Sequence, residues 1–189
     1  MNRRKFISGI ISALLYIYQT RLQATDKTNK SIDDFFEAPN LIKNNTAIIT
    51  DPIFLEHHID PRHPETPERI EYIQKALSEC DLSGITEKID SKIDVTEWLR
   101  TIHTAEHIES IRQSSPIAHK VATAGVRASL MGVDKVVTKD FTNVFCATRP
   151  PGHHALNTGR EEGFCYYNNI AIAANYAQEK YNLEKILII

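Results

Sequence analysis

The chain lacks the features that would place it in several large classes of protein. Its three cysteines, Cys80, Cys146 and Cys165, are odd in number and show no CxxC spacing. That argues against a disulfide framework and against a structural zinc knuckle. No apolar run is long enough to span a bilayer. The stretch from Ile7 to Tyr18 holds twelve residues, which as a helix reach roughly 18 Å, whereas a hydrocarbon core is roughly 30 Å thick. Neither an internal repeat nor a low-complexity tract is present. An excess of basic charge is also missing. Arg3, Arg4, Lys5 and Arg21 sit in residues 1–24 without any acid, and the remainder carries 18 basic against 24 acidic residues. A mildly acidic body argues against nucleic acid as a partner.

What remains is ordinary globular composition. The 189 residues are 42 % hydrophobic and 24 % charged, enough for one domain with a sizeable core. Residues 1–24, MNRRKFISGIISALLYIYQTRLQA, join a basic start to an apolar run and end at Ala24. That is the pattern of a cleaved signal peptide rather than a stable membrane anchor. Asn2-Arg3-Arg4-Lys5-Phe6-Ile7 resembles the twin-arginine export signal of bacteria, which implies export, with the bacterial periplasm as destination. Residues 25–45 are polar and read as a linker, with Phe35 and Phe36 as candidates to dock on the domain that follows.

From residue 46 onward, short apolar β-branched runs alternate with helical patterns. Thr46–Asp51 (TAIITD), Asn143–Thr148 (NVFCAT) and Lys185–Ile189 (KILII) read as three buried strands. Between them, Thr66-Pro67-Glu68 opens a helix with Ile70, Ile73, Ala76 and Leu77 at helical spacing. Further helices are expected from Asp94–Thr96, over His103–Ile111, over the small-residue-rich His119–Val137, and over Asn169–Lys180 capped by Asn168 or Asn169. Strand–helix alternation with near-continuous apolar strands predicts an α/β fold on a parallel sheet flanked by helices. In such sheets ligands bind beyond the carboxyl ends of the strands. The loop from Pro52 to Pro67 is long enough to be functional and carries His57, His58 and His63. His57 and His58 are candidates for the rim of a substrate entrance, with a solvated loop as the plainer reading.

The second strand runs directly into Arg149-Pro150-Pro151-Gly152-His153-His154. Two prolines and a glycine favour a stiff turn, and two adjacent imidazoles on it can serve as base and acid near neutral pH. Alone, the doublet could equally be an idle loop pair or a metal-ligand pair. Ten residues after His153 comes Gly163-Phe164-Cys165. A ring beside a residue with no side chain suits the wall of a narrow apolar channel, although Phe164 could also be core.

Arg-Pro-Pro-Gly-His-His-Ala followed by Gly-Phe-Cys-x-x-Asn-Asn and an Ala-rich helix resembles the histone deacetylase superfamily, in its class II-type and bacterial deacetylase-like amidohydrolase form. The resemblance extends upstream to His63-Pro64-Glu65-Thr66-Pro67-Glu68-Arg69-Ile70 and to Ile102-His103-Thr104-Ala105-Glu106-His107-Ile108, so it covers residues 48–189. It implies an arginase/deacetylase-like three-layer α/β fold, with this chain an incomplete deacetylase domain at 46–189. It also implies a Zn2+-dependent hydrolase acting on acetyl-lysine or an acetylated polyamine or amine. His153 and His154 take the catalytic roles, Gly163 and Phe164 the substrate-tunnel wall, and Arg69 the lining of an internal channel. His103-x-x-Glu106-His107 also spells the inverted zincin pattern, yet the resemblance gives neither histidine a ligand role, and a structural or surface place is expected.

The resemblance places the zinc ligands in a D-x-H segment after the strand that KILII resembles, and in a later Asp; neither is in this chain. The expectation is therefore a truncated portion that is inactive alone. A non-catalytic remnant and an arginase-type metallohydrolase are the competing readings.

Overall fold

The structure is a computed structural model that describes residues 46–60, 62–79 and 85–189. The signal peptide read at 1–24 and the linker read at 25–45, with Phe35 and Phe36, lie outside the described residues. So does Cys80.

A parallel sheet of three strands organises the described chain, in the order β2-β1-β3. Strand β1 is Thr46–Ile49, β2 is Ile85–Glu87 and β3 is Asn143–Cys146. Ile49 is in register with Glu87 on one side and with Cys146 on the other. β1 is the central strand, and Ala47, Ile48 and Ile49 are all buried. This is why its run is apolar without alternation: both of its faces are covered. Two bonds prolong the ladders past the strand ends, from Thr50 N–H to the Glu87 carbonyl and from Ala147 N–H to the Ile49 carbonyl.

The helices are α1 (Glu68–Glu79), α2 (Thr96–Arg100), α3 (Ala105–Ser114), α4 (Pro116–Val137) and α5 (Asn169–Tyr181). Their ends follow from local chemistry. Thr104 Oγ1 accepts the His107 N–H at the start of α3, and Asn168 Oδ1 accepts the Ala171 N–H at the start of α5. A proline occupies the first turn of α4, where its missing N–H costs nothing.

Helix α4 is the spine of the domain. Val121, Ala124, Ala128 and Met131 pack toward β1 with Ile49, Phe54 and Ile70. Its other stripe, with Ala122, Val126, Leu130 and Val133, packs against Leu99, Ile111, Tyr167, Ile172 and Ala173. Small residues let the backbones approach: a Cβ on Gly132 would lie 3.2 Å from Cys146 Sγ. Burial pushes the Cys146 thiol up to about 12, so it behaves as a small apolar group. At the far end of α4, Asp134 accepts bonds from Tyr176, Lys180 and Tyr181 and clasps α5 to it.

Two expectations need correction, and two elements were not foreseen. Lys185–Ile189 forms no strand; Ile186 packs on the core, while Leu187, Ile188 and Ile189 are exposed. Apolar composition suits a strand, but a strand exists only where a neighbour completes its ladder, and these residues pair with none of the described strands. His103 lies outside α3, which begins only after the Thr104 cap. Strand β2 and the 3-10 turn at Pro52–Leu55 were not legible as elements. Among the described residues, no helix is long and apolar enough to cross a membrane.

Leu130 is fully buried between α4 and its neighbours, so Leu130→Ala should cost about 2–5 kcal/mol of stability, read from the urea unfolding midpoint.

Candidate active site

The site starts where β1 and β3 end side by side. After β1 the chain turns through Pro52–Leu55 and a loop to Glu65; after β3 it reaches Arg149. These two residues, 84 apart in sequence, form a buried bidentate pair. Arg149 Nε donates to Glu65 Oε1 at 2.8 Å and Arg149 Nη2 to Glu65 Oε2 at 2.6 Å. Arg149 also donates to the Phe54 and Glu65 carbonyls, so all three of its nitrogens are engaged. The Arg149–Pro150 peptide is cis.

Arg69, in the first turn of α1, adds a second cation to the same carboxylate, 3.7 Å from Glu65 Oε1. With Ile73, Thr148, Arg149 and Pro151 it surrounds a small cavity of about 20 Å³ behind the turn. Arg69 therefore makes an ion pair with a buried carboxylate beside this cavity.

Beyond the prolines, Ala155 N–H donates to the Gly152 carbonyl and closes a tight turn. Gly152 cannot carry a side chain, because a Cβ there would lie 2.3 Å from the Tyr167 carbonyl oxygen and 2.5 Å from Asn169 Oδ1. This close approach brings the turn against the segment that leads into α5. His153 and His154 stand exposed on it with ring centroids 4.2 Å apart. Partial burial, and then the neighbouring His154, lower the His153 pKa below its usual value, which favours the neutral, proton-accepting form.

Gly163 and Phe164 come to the same place. A Cβ on Gly163 would lie 3.1 Å from His154 Cδ2, and φ is +52° there. Phe164 itself has φ +71°, an unfavourable region for a bulky residue. It is held there by its N–H bond to Glu161 Oε2 at 2.9 Å and by the paired bonds between Glu162 and Cys165. Strain of this kind persists only where surroundings over-determine the backbone, and it clusters at functional sites. The Phe164 ring meets His63 edge to face at 4.4 Å, and His63 Nδ1 accepts the Glu65 N–H. The structure thus joins His63, Glu65 and Arg69 of one motif to Arg149, His154 and Phe164 of the other.

The remaining histidines divide differently. His57 is buried against the Tyr166 ring, not solvated and not on a rim; His58 is exposed beside a cleft of about 310 Å³ with Asp60 and Glu68. His103 and His107 are buried, with rings stacked at 4.9 Å. Tyr167 packs against both and bonds His119 Nδ1 through its hydroxyl at 2.7 Å. Sequence reasoning singled out neither Glu65 as the partner of Arg149 nor His63 as the neighbour of Phe164. Both stand in the His63-Pro64-Glu65 motif, which was the available signal.

The fold and this cluster define an α/β domain whose candidate site lies at the carboxyl ends of parallel strands. The family model for the histone deacetylase domain matches residues 63–189, and the chain belongs to the histone deacetylase family. It is 33 % identical over 157 residues to histone deacetylase 6 of Caenorhabditis elegans, covering 69 % of this chain and 16 % of that one. An uncharacterized protein of Synechocystis sp. is 35 % identical over 163 residues, covering 76 % and 52 %. Polyamine deacetylase HDAC10 of Danio rerio is 28 % identical over 145 residues, covering 66 % and 21 %. The crystal structure of the HDA15 HD domain superposes with a TM-score of 0.62 at 26 % identity, over 72 % of this chain and 44 % of that one. The chain therefore spans about half or less of the lengths of these relatives.

The family implies zinc. Among the described residues no three His, Cys, Asp or Glu side chains converge where a metal could be held. The described residues do not by themselves fit the metal.

Breaking the buried pair should be costly. Glu65→Gln should lower stability by about 3–5 kcal/mol in urea unfolding, because it leaves the Arg149 charge buried and uncompensated. The double change Glu65→Leu with Arg149→Met should cost less than the single one.

Proposed function

We propose that these residues are part of a deacetylase that hydrolyses an acetylated amine, either acetyl-lysine or an acetylated polyamine. His153 and His154 are its proton-handling pair, Gly163 and Phe164 one wall of the acyl channel, and Arg69 a residue of the internal channel behind the turn. The observation that carries this reading is the placement of two exposed imidazoles, 4.2 Å apart, on a rigid turn at the end of a parallel strand. Gly163 closes against one of them. The names of the relatives, histone deacetylase and polyamine deacetylase, support an acetylated amine as substrate class.

Amide hydrolysis forms a bond from a water oxygen to the carbonyl carbon and breaks the bond to nitrogen. One group must accept a proton from the water, and one must deliver a proton to the leaving amine. Two imidazoles on one turn meet both needs. The lowered pKa of His153 suits it to accept. The flat acyl chain passes along a wall made by a phenyl ring and a glycine backbone, which excludes water without obstructing it.

Zinc dependence belongs to the proposal, with the ligands supplied by groups outside the described residues. The basic leader supports export to a bacterial periplasm, where a small acetylated amine is the fitting substrate.

The test has two arms. The isolated chain should hold no stoichiometric zinc and release no acetate, and tight one-to-one zinc would contradict that. A chimera in which residues 46–189 replace the matching part of an active histone deacetylase should hydrolyse an acetyl-lysine peptide. In it, His153→Ala and His154→Ala should each lower kcat by about 10²–10⁴. Activity retained in both variants would remove the proposed roles. The acid limb of the kcat profile should lie below about pH 6.5, the ordinary histidine value, because His153 stays neutral to lower pH than a free imidazole.

A further inference from the structure

The two buried histidines that the deacetylase reading leaves without a task, His103 and His107, have a specific hydrogen-bond arrangement. Each ring has one nitrogen that must accept and one that must donate. Asn168 N–H donates to His103 Nε2 at 2.8 Å, so that nitrogen carries no proton. His103 Nδ1 faces Asn157 Oδ1 at 3.0 Å. The same oxygen accepts the Thr104 N–H, while Asn157 Nδ2 donates to the Ile102 carbonyl, so the amide orientation is fixed. His103 is therefore the Nδ1–H tautomer. For His107 the roles reverse. Gly159 N–H donates to Nδ1 at 3.0 Å, and Nε2 faces the Tyr166 carbonyl at 2.9 Å and must donate. His107 is the Nε2–H tautomer.

All four partners, Asn157, Gly159, Tyr166 and Asn168, belong to one segment, and they bracket Gly163 and Phe164. Ser110 adds a bond to the Gly159 carbonyl from the same helix as His107. We propose that His103 and His107 are the positioning residues of segment 157–168: two neutral imidazoles, locked in opposite tautomers, fix both ends of the strained wall against His154. The statement that this wall lines the acyl channel rests on the proposed function; the tautomers and the anchoring do not.

Neutrality is required, because an imidazolium has no acceptor nitrogen and would face a backbone N–H donor. The titratable groups around the rings are each other, Tyr166, Tyr167, and His119 reached through the Tyr167 hydroxyl. Among the described residues neither ring bonds to a carboxylate that could stabilise its cation. Burial holds His103 below the usual histidine value. A depressed folded value means that the contribution is fully present above about pH 6.5, the unfolded value, and is lost as the pH falls through the folded one.

The direct test is a long-range 15N–1H spectrum of the full chain labelled in histidine, recorded between pH 5 and 8. The expected result is His103 protonated on Nδ1 and His107 on Nε2, with His103 still neutral where an unperturbed histidine has titrated. In parallel, amide exchange at Asn168 should quicken roughly tenfold or more in His103→Leu. It should be restored in His103→Gln, whose Oε1 replaces the Nε2 acceptor. The opposite tautomer in either ring overturns the proposal. Equal loss of Asn168 protection in the Leu and Gln variants does so too. Should the variants fail to fold, the tautomers of the unaltered protein decide the matter. Deacetylation need not be measured, so the anchoring and the proposed activity can fail separately.

Discussion

The arrangement of the site depends on one buried ion pair. Arg149 and Glu65 leave two loops at the ends of adjacent parallel strands and meet where neither charge reaches water. Taking both from water is costly, and their attraction repays the cost only with good geometry and every remaining donor satisfied. Here the fork is bidentate, and Nη1 and Nη2 each also reach a main-chain carbonyl. The pair therefore acts as a fixed point: it sets the distance between the His63-Pro64-Glu65 loop and the turn that carries His153 and His154. Both sides of the site, the doublet on one loop and the His63 ring against Phe164 on the other, inherit their places from it.

A second set of constraints works from the helical side. Gly152 lets the turn lie on the Tyr167 carbonyl, and Tyr167 is itself enclosed by His103, His107 and His119. The same residue type meets opposite fates within a short span. His153 and His154 are exposed, whereas His103 and His107 are buried with both nitrogens committed. Environment separates the two pairs, and nothing in the letters His-His or His-x-x-x-His does so.

Much of this was readable in advance because it is local. The β-branched run at Thr46–Ile49, the small residues of α4 and the Asn168 cap each express a period or a bond within a few residues, and the structure has them. The motif Arg-Pro-Pro-Gly-His-His announced a turn for the same reason. What was not readable depends on partners far away in sequence. Glu65 and Arg149 are 84 residues apart, and no local pattern pairs them. Strand β2 is three residues with little apolar character, made a strand only by its neighbour β1. The converse holds for Lys185–Ile189, which has a strand's composition and pairs with no described strand. His57 was read from its polar loop and turned out buried because Tyr166 covers it. The strained φ of Phe164 also has no sequence signature, since glycine at 163 signals only that the turn is tight.

The central claim is that the Arg149–Glu65 pair holds the site segments in place, rather than merely adding to global stability. Amide hydrogen exchange compared between the unaltered chain and Glu65→Gln, under conditions where both are folded, tests it most directly. The account predicts that protection falls in residues 149–155 and in the loop around Phe54, while the amides of α4 and α5 keep theirs. Unchanged protection in 149–155, or a uniform loss across α4 and α5 as well, would contradict it.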